Sequence, residues 1–251
     1  MTILLKKIIF FCYNQISTFY ENYFLKKTKL DNQNELTEKG YAKIIFLNQL
    51  NINKYIEKKI KGPNLYLNKF IINKNMIREL LLNIFIKNKV AENIFKLTGF
   101  SYSVDFFVAY ETSHIPEQFE KMEIYANHWH RDKPFSKNTL KLIIPIDEIS
   151  AQHGGIEILD KYSSSNLNKK YSKNNSYYKM ISPKNEGLLF LPNVCLHRAG
   201  NPAKNLLRSQ LMFQLNPSKK WSYKTNLFEL QFFQEPKFPI KNLLSTRLEL
   251  R

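Results

Sequence analysis

Apolar positions along this chain fall into two textures. From Ile3 to Lys27, and again from Asn75 to Leu97, isoleucine, leucine and phenylalanine recur three and four residues apart among lysines and asparagines, which gives a helix an apolar face. The second run follows polar starter residues and stops at Gly99, a helix-ending signal. Its leucines and isoleucines read as core. Between the two runs, "LDNQNE" is a polar linker and "LTEKGYAKIIFL" a turn leading into a strand.

From Tyr102 the texture changes. "YSVDFFVAYE", "MEIYANHWH", "TLKLIIPIDEI", "GIEILD", "GLLFLP" and "LLRSQLMFQL" are short stretches rich in β-branched or aromatic residues, punctuated by Pro, Gly, Asn and Ser. "KYSSSNLNKKYSKNNS" is low in complexity and reads as a surface loop. Helices first and strands afterwards predict an α+β chain with a mainly β core: an antiparallel sandwich or barrel with helices packed outside. Such folds place ligand sites in the barrel mouth.

Composition narrows the picture only a little. A chain of 251 residues can bury one sizeable core. Its two cysteines, Cys12 and Cys195, have no paired spacing, which argues against a zinc site or disulfide framework and for a reducing, cytoplasmic setting. The opening "MTILLKKIIFFCYNQ" is interrupted by Lys6 and Lys7 and is too short to span a bilayer. It reads as a helix packed on the core, with a peripheral contact at a membrane surface as the alternative. A formal charge of +17 favours anionic partners. Only six of the 38 basic residues are arginine, however, a bias that AT-rich codons would also produce, and no basic motif interleaved with aromatics suggests a nucleic-acid module.

The candidate chemistry lies in "ANHWHRDKPF". On an ending strand, His128, His130 and Asp132 would share one face, with Trp129 and Arg131 on the other. An imidazole and a carboxylate two residues apart can grip one ion. A further histidine, His197, closes the apolar stretch of "LPNVCLHRAGNP" just before a Gly-Asn-Pro turn. Two histidines and one carboxylate leave half of an octahedral ion open, the arrangement of non-haem ferrous oxygenases. An H-x-D pair alone is common and carries little weight. Arg208 adds to it: on "NLLRSQLMFQL" it shares a face with Gln210, Met212 and Gln214, opposite Ser209, Leu211, Phe213 and Leu215. An arginine brought inside a barrel needs a carboxylate, which a dicarboxylate cosubstrate can supply bidentately.

Taken in order, "HWHRD", "LKLIIPIDEISAQHGGIEIL" and "GLLFLPNVCLHRAGNPAKNLLRSQLMFQL" resemble the phytanoyl-CoA dioxygenase family of iron(II)- and 2-oxoglutarate-dependent oxygenases. "ELTEKGYAKIIFL" is similar to the family's opening segment, and the likeness covers roughly residues 36–216. The resemblance implies a double-stranded β-helix of jelly-roll, cupin-like type with N-terminal flanking helices. Residues 1–35 would form a helical extension packed on the core and residues 36–251 the oxygenase domain. It implies His130, Asp132 and His197 as ligands to Fe(2+), with Arg208 holding the distal carboxylate of 2-oxoglutarate. His128 then falls to a supporting role in the pocket, and His114 and His153 read as solvated loop residues.

Two departures stand out, the first bearing on the substrate and the second on the cosubstrate carboxylate. The family's Pro-Gly-Ser-His stretch is replaced by "ILDKYSSSN", and Gln210 stands where related oxygenases often carry serine. The activity implied is a dioxygenase consuming O2 and 2-oxoglutarate, hydroxylating an unactivated C–H of a small organic substrate, an anionic one being allowed by the positive charge, with release of succinate and CO2. Retention of Asp132 favours hydroxylation over halogenation. Nucleic acid is not an expected partner. The alternative is a non-catalytic basic β-barrel that binds an anionic glycan, lipid head group or nucleic acid.

Overall fold

The computed structural model describes residues 3–26, 34–132, 136–166, 177–183, 185–231 and 246–250. Helix α1 (Ile3–Tyr20) runs on into a wider π turn, Glu21–Leu25. Helix α2 (Glu35–Lys39) is started by a reciprocal cap between Asn34 and Thr37. It is stopped by Gly40 at φ 84°, a left-handed conformation that glycine adopts at little cost. The chain then enters β1 (Tyr41–Ile45), followed by β2 (Ile56–Lys61) and β3 (Leu67–Ile72).

The single helix expected over residues 75–97 is instead a broken one. Helix α3 (Ile77–Leu81) widens into a π segment, Leu82–Lys87, and α4 (Val90–Thr98) begins afresh after Lys89 at φ 55°. Tertiary structure makes the break: the Asn88 side chain accepts a hydrogen bond from the Asn48 amide at 2.7 Å and donates to the Asn83 carbonyl at 2.9 Å. Gly99 ends α4 in the left-handed region, as the sequence implies.

The strands follow: β4 (Ser101–Ser113), β5 (Leu140–Pro145), β6 (Glu157–Ile158), then helix α5 (Lys161–Asn166), β7 (Tyr178–Lys179) and β8 (Glu186–Phe190). Next come β9 (His197–Arg198), β10 (Leu207–Ser218), β11 (Ser222–Lys224), a short α6 (Leu227–Leu230) and β12 (Arg247–Glu249). Helix α5 occupies the start of the stretch expected to be a loop; residues 167–176 of that stretch lie outside the described residues.

The larger sheet runs β1-β8-β5-β10-β4, extended beyond β4 by β11 and β12 and by β3 and β2. Its pairings are antiparallel except for the short contact of β11 with β4. The smaller sheet, β7-β6-β9, is antiparallel throughout.

Side-chain alternation across the larger sheet creates two apolar layers. Leu211, Phe213 and Leu215 of β10, Leu140, Leu142 and Ile144 of β5, and Leu189 of β8 join the helix-side core with Leu80, Leu81, Ile84, Phe85 and Ile94. Phe85 meets Phe213 edge-on at 5.3 Å. Burying such a ring contributes about 1.5–3 kcal/mol. The opposite face sends Ile143, Leu188 and Phe190 into a second cluster with Ile149, Ile156, Ile158, Met180 and Cys195. The candidate site lies on this second face. At the other end of the chain, α1 is tied to the strands: Thr18 accepts from the Lys137 amide at 3.0 Å, and Glu21 accepts from Ser136 and, at 3.0 Å, from Asn138.

Candidate metal centre

Residues 126–132 do not form the ending strand that their pattern suggests. The backbone is irregular, with one isolated antiparallel bridge between His130 and His197. The two residues exchange both hydrogen bonds, His130 N–H to the His197 carbonyl at 3.1 Å and His197 N–H to the His130 carbonyl at 3.0 Å. Two residues on, the Asp132 amide donates to the Pro192 carbonyl at 2.9 Å. One bridge and one loop contact therefore bring the H-x-D pair to His197.

One ligand atom from each of His130, Asp132 and His197 lies within 4.8 Å of the others, and this is the cluster of three such groups found among the described residues. Asp132 Oδ1 is 3.6 Å from His130 Nε2 and 3.8 Å from His197 Nε2. His130 Nδ1 donates to the His128 carbonyl at 2.8 Å and His197 Nδ1 to the Cys195 carbonyl at 3.0 Å. A carbonyl can only accept, so each Nδ1 carries a proton, which leaves Nε2 as the atom each ring can offer to a metal. Burial pulls the His197 pKa down to about 3, which keeps its ring neutral, as a metal ligand must be. Burial works against ionisation of Asp132, but the Lys141 ammonium holds its carboxyl below the usual range. The result is an ionised carboxylate with one oxygen facing the imidazoles and the other on Lys141.

Arg208 lies in the same cavity, one of about 210 Å³ lined also by Lys69, Tyr110, Tyr125, His130 and His197. It is 1% exposed, and among the described residues no carboxylate forms an ion pair with it. Its Nη1 donates to the Gly154 carbonyl and, at 3.0 Å, to the Gly200 carbonyl, while Nε and Nη2 find no acceptor among the described residues. Its guanidinium carbon stands 5.9 Å from the centre of the Tyr125 ring.

The two carbonyls come from a close glycine crossing. Gly154 sits at φ 63°, and a Cβ there would fall 2.4 Å from the Asn201 backbone; one on Gly200 would fall 2.6 Å from the Gly155 carbonyl. Gly154 and Gly200 thus hold one edge of the guanidinium and leave the other edge to a guest.

No protein-family model and no curated protein matches the chain. Solved structures do. HygX from Streptomyces hygroscopicus, with nickel and 2-oxoglutarate bound, aligns over 74% of this chain and 86% of its own at 7% identity, TM-score 0.51. The epimerase SnoN in complex with Fe3+, alpha ketoglutarate and nogalamycin RO aligns over 72% and 80% at 8% identity, TM-score 0.50. The shared fold is a double-stranded β-helix.

Within that fold the remaining histidines take up structural positions. His128 lies outside the cavity: its Nε2 meets the Glu120 carbonyl at 3.0 Å, and its own carbonyl orients His130. His114 and His153 are partly exposed, with one ring nitrogen of each held by the protein. His114 Nδ1 is bonded to the Pro202 carbonyl at 2.8 Å, and His153 Nδ1 lies 2.8 Å from the Ser150 hydroxyl, each fixing a turn near the glycine crossing. Arg131 and Arg198 point elsewhere, Arg131 to the Val194 and Ser164 carbonyls and Arg198 to Glu157 at 2.7 Å. Gln210 does line the cavity, its amide donating to the Tyr110 hydroxyl.

Lys141 is the site residue that the sequence reading passes over. The signal was present: alternation in "LKLIIP" sets Lys141 beside Ile143, on the face opposite Leu140, Leu142 and Ile144.

Proposed function

We propose that this protein is an iron(II)- and 2-oxoglutarate-dependent dioxygenase of the phytanoyl-CoA dioxygenase-like kind. It would hydroxylate an unactivated C–H of a small organic substrate and release succinate and CO2. One observation carries the reading: three clustered ligand groups, two of them lining a cavity, stand beside a buried guanidinium in that cavity with two N–H donors to spare. The neighbouring structures of HygX and SnoN, with metal and the keto acid bound, support the same pairing.

The residues present fit the cofactors. Two imidazoles and one carboxylate suit a divalent ion of the iron type and leave half its positions open. His130, Asp132 and His197 would hold the metal, with Asp132 turned by Lys141 so that only Oδ1 faces the imidazoles. The free edge of Arg208 would take the distal carboxylate of 2-oxoglutarate, two parallel N–H donors matching two oxygens. When bound, iron and 2-oxoglutarate supply the oxidation: one oxygen atom of O2 goes to the substrate and the other to succinate as CO2 leaves. Val108, Ile143, Ile156, Phe190 and Met212 line the cavity and keep water from the reacting groups. Asp132 occupies the place that a halide would need, so hydroxylation is the outcome proposed.

The test is anaerobic addition of iron(II) and 2-oxoglutarate, followed by admission of oxygen. A visible charge-transfer band and succinate release are expected from the native chain, and neither from Asp132→Ala. Equal succinate release by the two proteins would overturn the proposal.

A further inference from the structure

We infer that the exposed face of α1 and its π turn docks the protein on an anionic lipid bilayer. Six large apolar residues in this one element are exposed: Phe11, Ile16, Phe19, Tyr20, Tyr23 and Phe24. Five of them stand well out of the surface, Phe11 and Phe24 at 63%, Ile16 at 68%, Phe19 at 69% and Tyr23 at 72%, with Phe11 on a different side of the helix from the rest. At about 100° per residue, Ile16, Phe19, Tyr20 and Tyr23 fall within one arc, with Phe24 at its edge. The rings also pack on one another, Phe19 on Tyr23 at 6.0 Å and Tyr23 edge-on to Phe24 at 4.9 Å, so they form a continuous patch.

Charge selects the occupant. Lys6 and Lys7 precede the patch in sequence, Lys26, Lys27 and Lys29 follow it, and Glu21 is the sole acid in the first thirty residues. Glu21 is buried and turned inward onto Ser136 and Asn138, so no carboxylate faces outward. An aromatic stripe between lysines suits the headgroup region of an anionic membrane. A second copy of the chain, with the same net charge of +17, would be repelled. The contact is a surface one, because no helix among the described residues is long and apolar enough to cross a membrane. The ties of Thr18 and Glu21 to residues 136–138 hold the patch rigidly against the body.

The test is co-sedimentation of the full chain with vesicles of phosphatidylcholine alone or mixed with phosphatidylglycerol, at low and high salt. The native chain should sediment with the mixed vesicles only, and less at high salt. Phe19→Ser/Tyr23→Ser/Phe24→Ser should bind at least about tenfold more weakly. In an otherwise native chain, Tyr23→Trp should show a blue-shifted emission with the mixed vesicles, which keeps the test decisive if the triple variant misfolds. Binding indifferent to phosphatidylglycerol, or unchanged in the triple variant, would overturn the inference. So would light scattering that shows a native dimer and a monomeric triple variant.

Discussion

Replacing Arg208 with methionine is the sharpest probe of the cavity. The substitution keeps the apolar stem and removes the guanidinium. Nη1 is already committed to the Gly154 and Gly200 carbonyls, so a guest carboxylate gains from Nε and Nη2 alone. Two charge-assisted hydrogen bonds at about 1.5–3 kcal/mol each give about 3–6 kcal/mol, or a loss of roughly 10²–10⁴ in 2-oxoglutarate affinity. The assay is anaerobic titration of the iron-loaded protein with 2-oxoglutarate, followed by the charge-transfer absorbance. Metal affinity should be unchanged. The variant should also stay folded, because the two lost carbonyl contacts are offset by removing a buried cation that meets no carboxylate among the described residues. Arg208→Lys should fall between, since it keeps the charge but loses the planar fork. Affinity of the methionine variant within about threefold of native, which is about 0.6 kcal/mol, would refute the assignment.

Three further outcomes follow from the same geometry. Lys141→Met leaves the Asp132 carboxylate without its ammonium, and the apo protein should lose about 2–3 kcal/mol, between the values for exposed and fully buried pairs. A divalent metal then becomes the main counter-charge, so metal should raise the melting temperature of this variant by more than it raises the native one; an equal or smaller rise contradicts the pairing. Gly154→Ala places a Cβ against the Asn201 backbone at positive φ and should cost about 2–4 kcal/mol, seen as a drop of several degrees in melting temperature. Burial raises the Glu21 pKa, against the opposing hydrogen bonds from Ser136, Asn138 and Ser17. As pH rises above 4.5 the unfolded chain gives up this proton before the folded one does, so stability falls until the raised folded value is passed. Glu21→Gln should therefore be more stable than native to denaturant at neutral pH and no more stable well below pH 4.5.

Much of this was legible where a physical period governs the side chains. The two faces of β10 follow from alternation alone, and they put Arg208 in the cavity and Phe213 in the helix-side core. The H-x-D spacing led to the right neighbours through an inexact route, since what joins His130 to His197 is a single bridge and no strand precedes it. A one-bridge contact between residues 67 positions apart leaves no local pattern. Strands β2 and β3 were missed for a related reason: "IEKKIK" is mostly exposed lysine and glutamate, and its pairing with β3 supplies the order that its composition does not. The break at Asn88 was hidden because its cause, the Asn48 amide, lies in a distant loop. Histidines 114 and 153 looked like surface residues because the carbonyl and hydroxyl that fix them come from turns whose positions only the assembled barrel sets.

The exchange of backbone hydrogen bonds between His130 and His197 has a consequence for how this centre can change. The spacing of the two imidazoles is written into main-chain geometry, so it survives any substitution in the preceding stretch that preserves the bridge. Residues 120–127 can then be remodelled to admit new guests while His130 and His197 keep their spacing, which makes that stretch the natural place to redesign selectivity without rebuilding the proposed chelate.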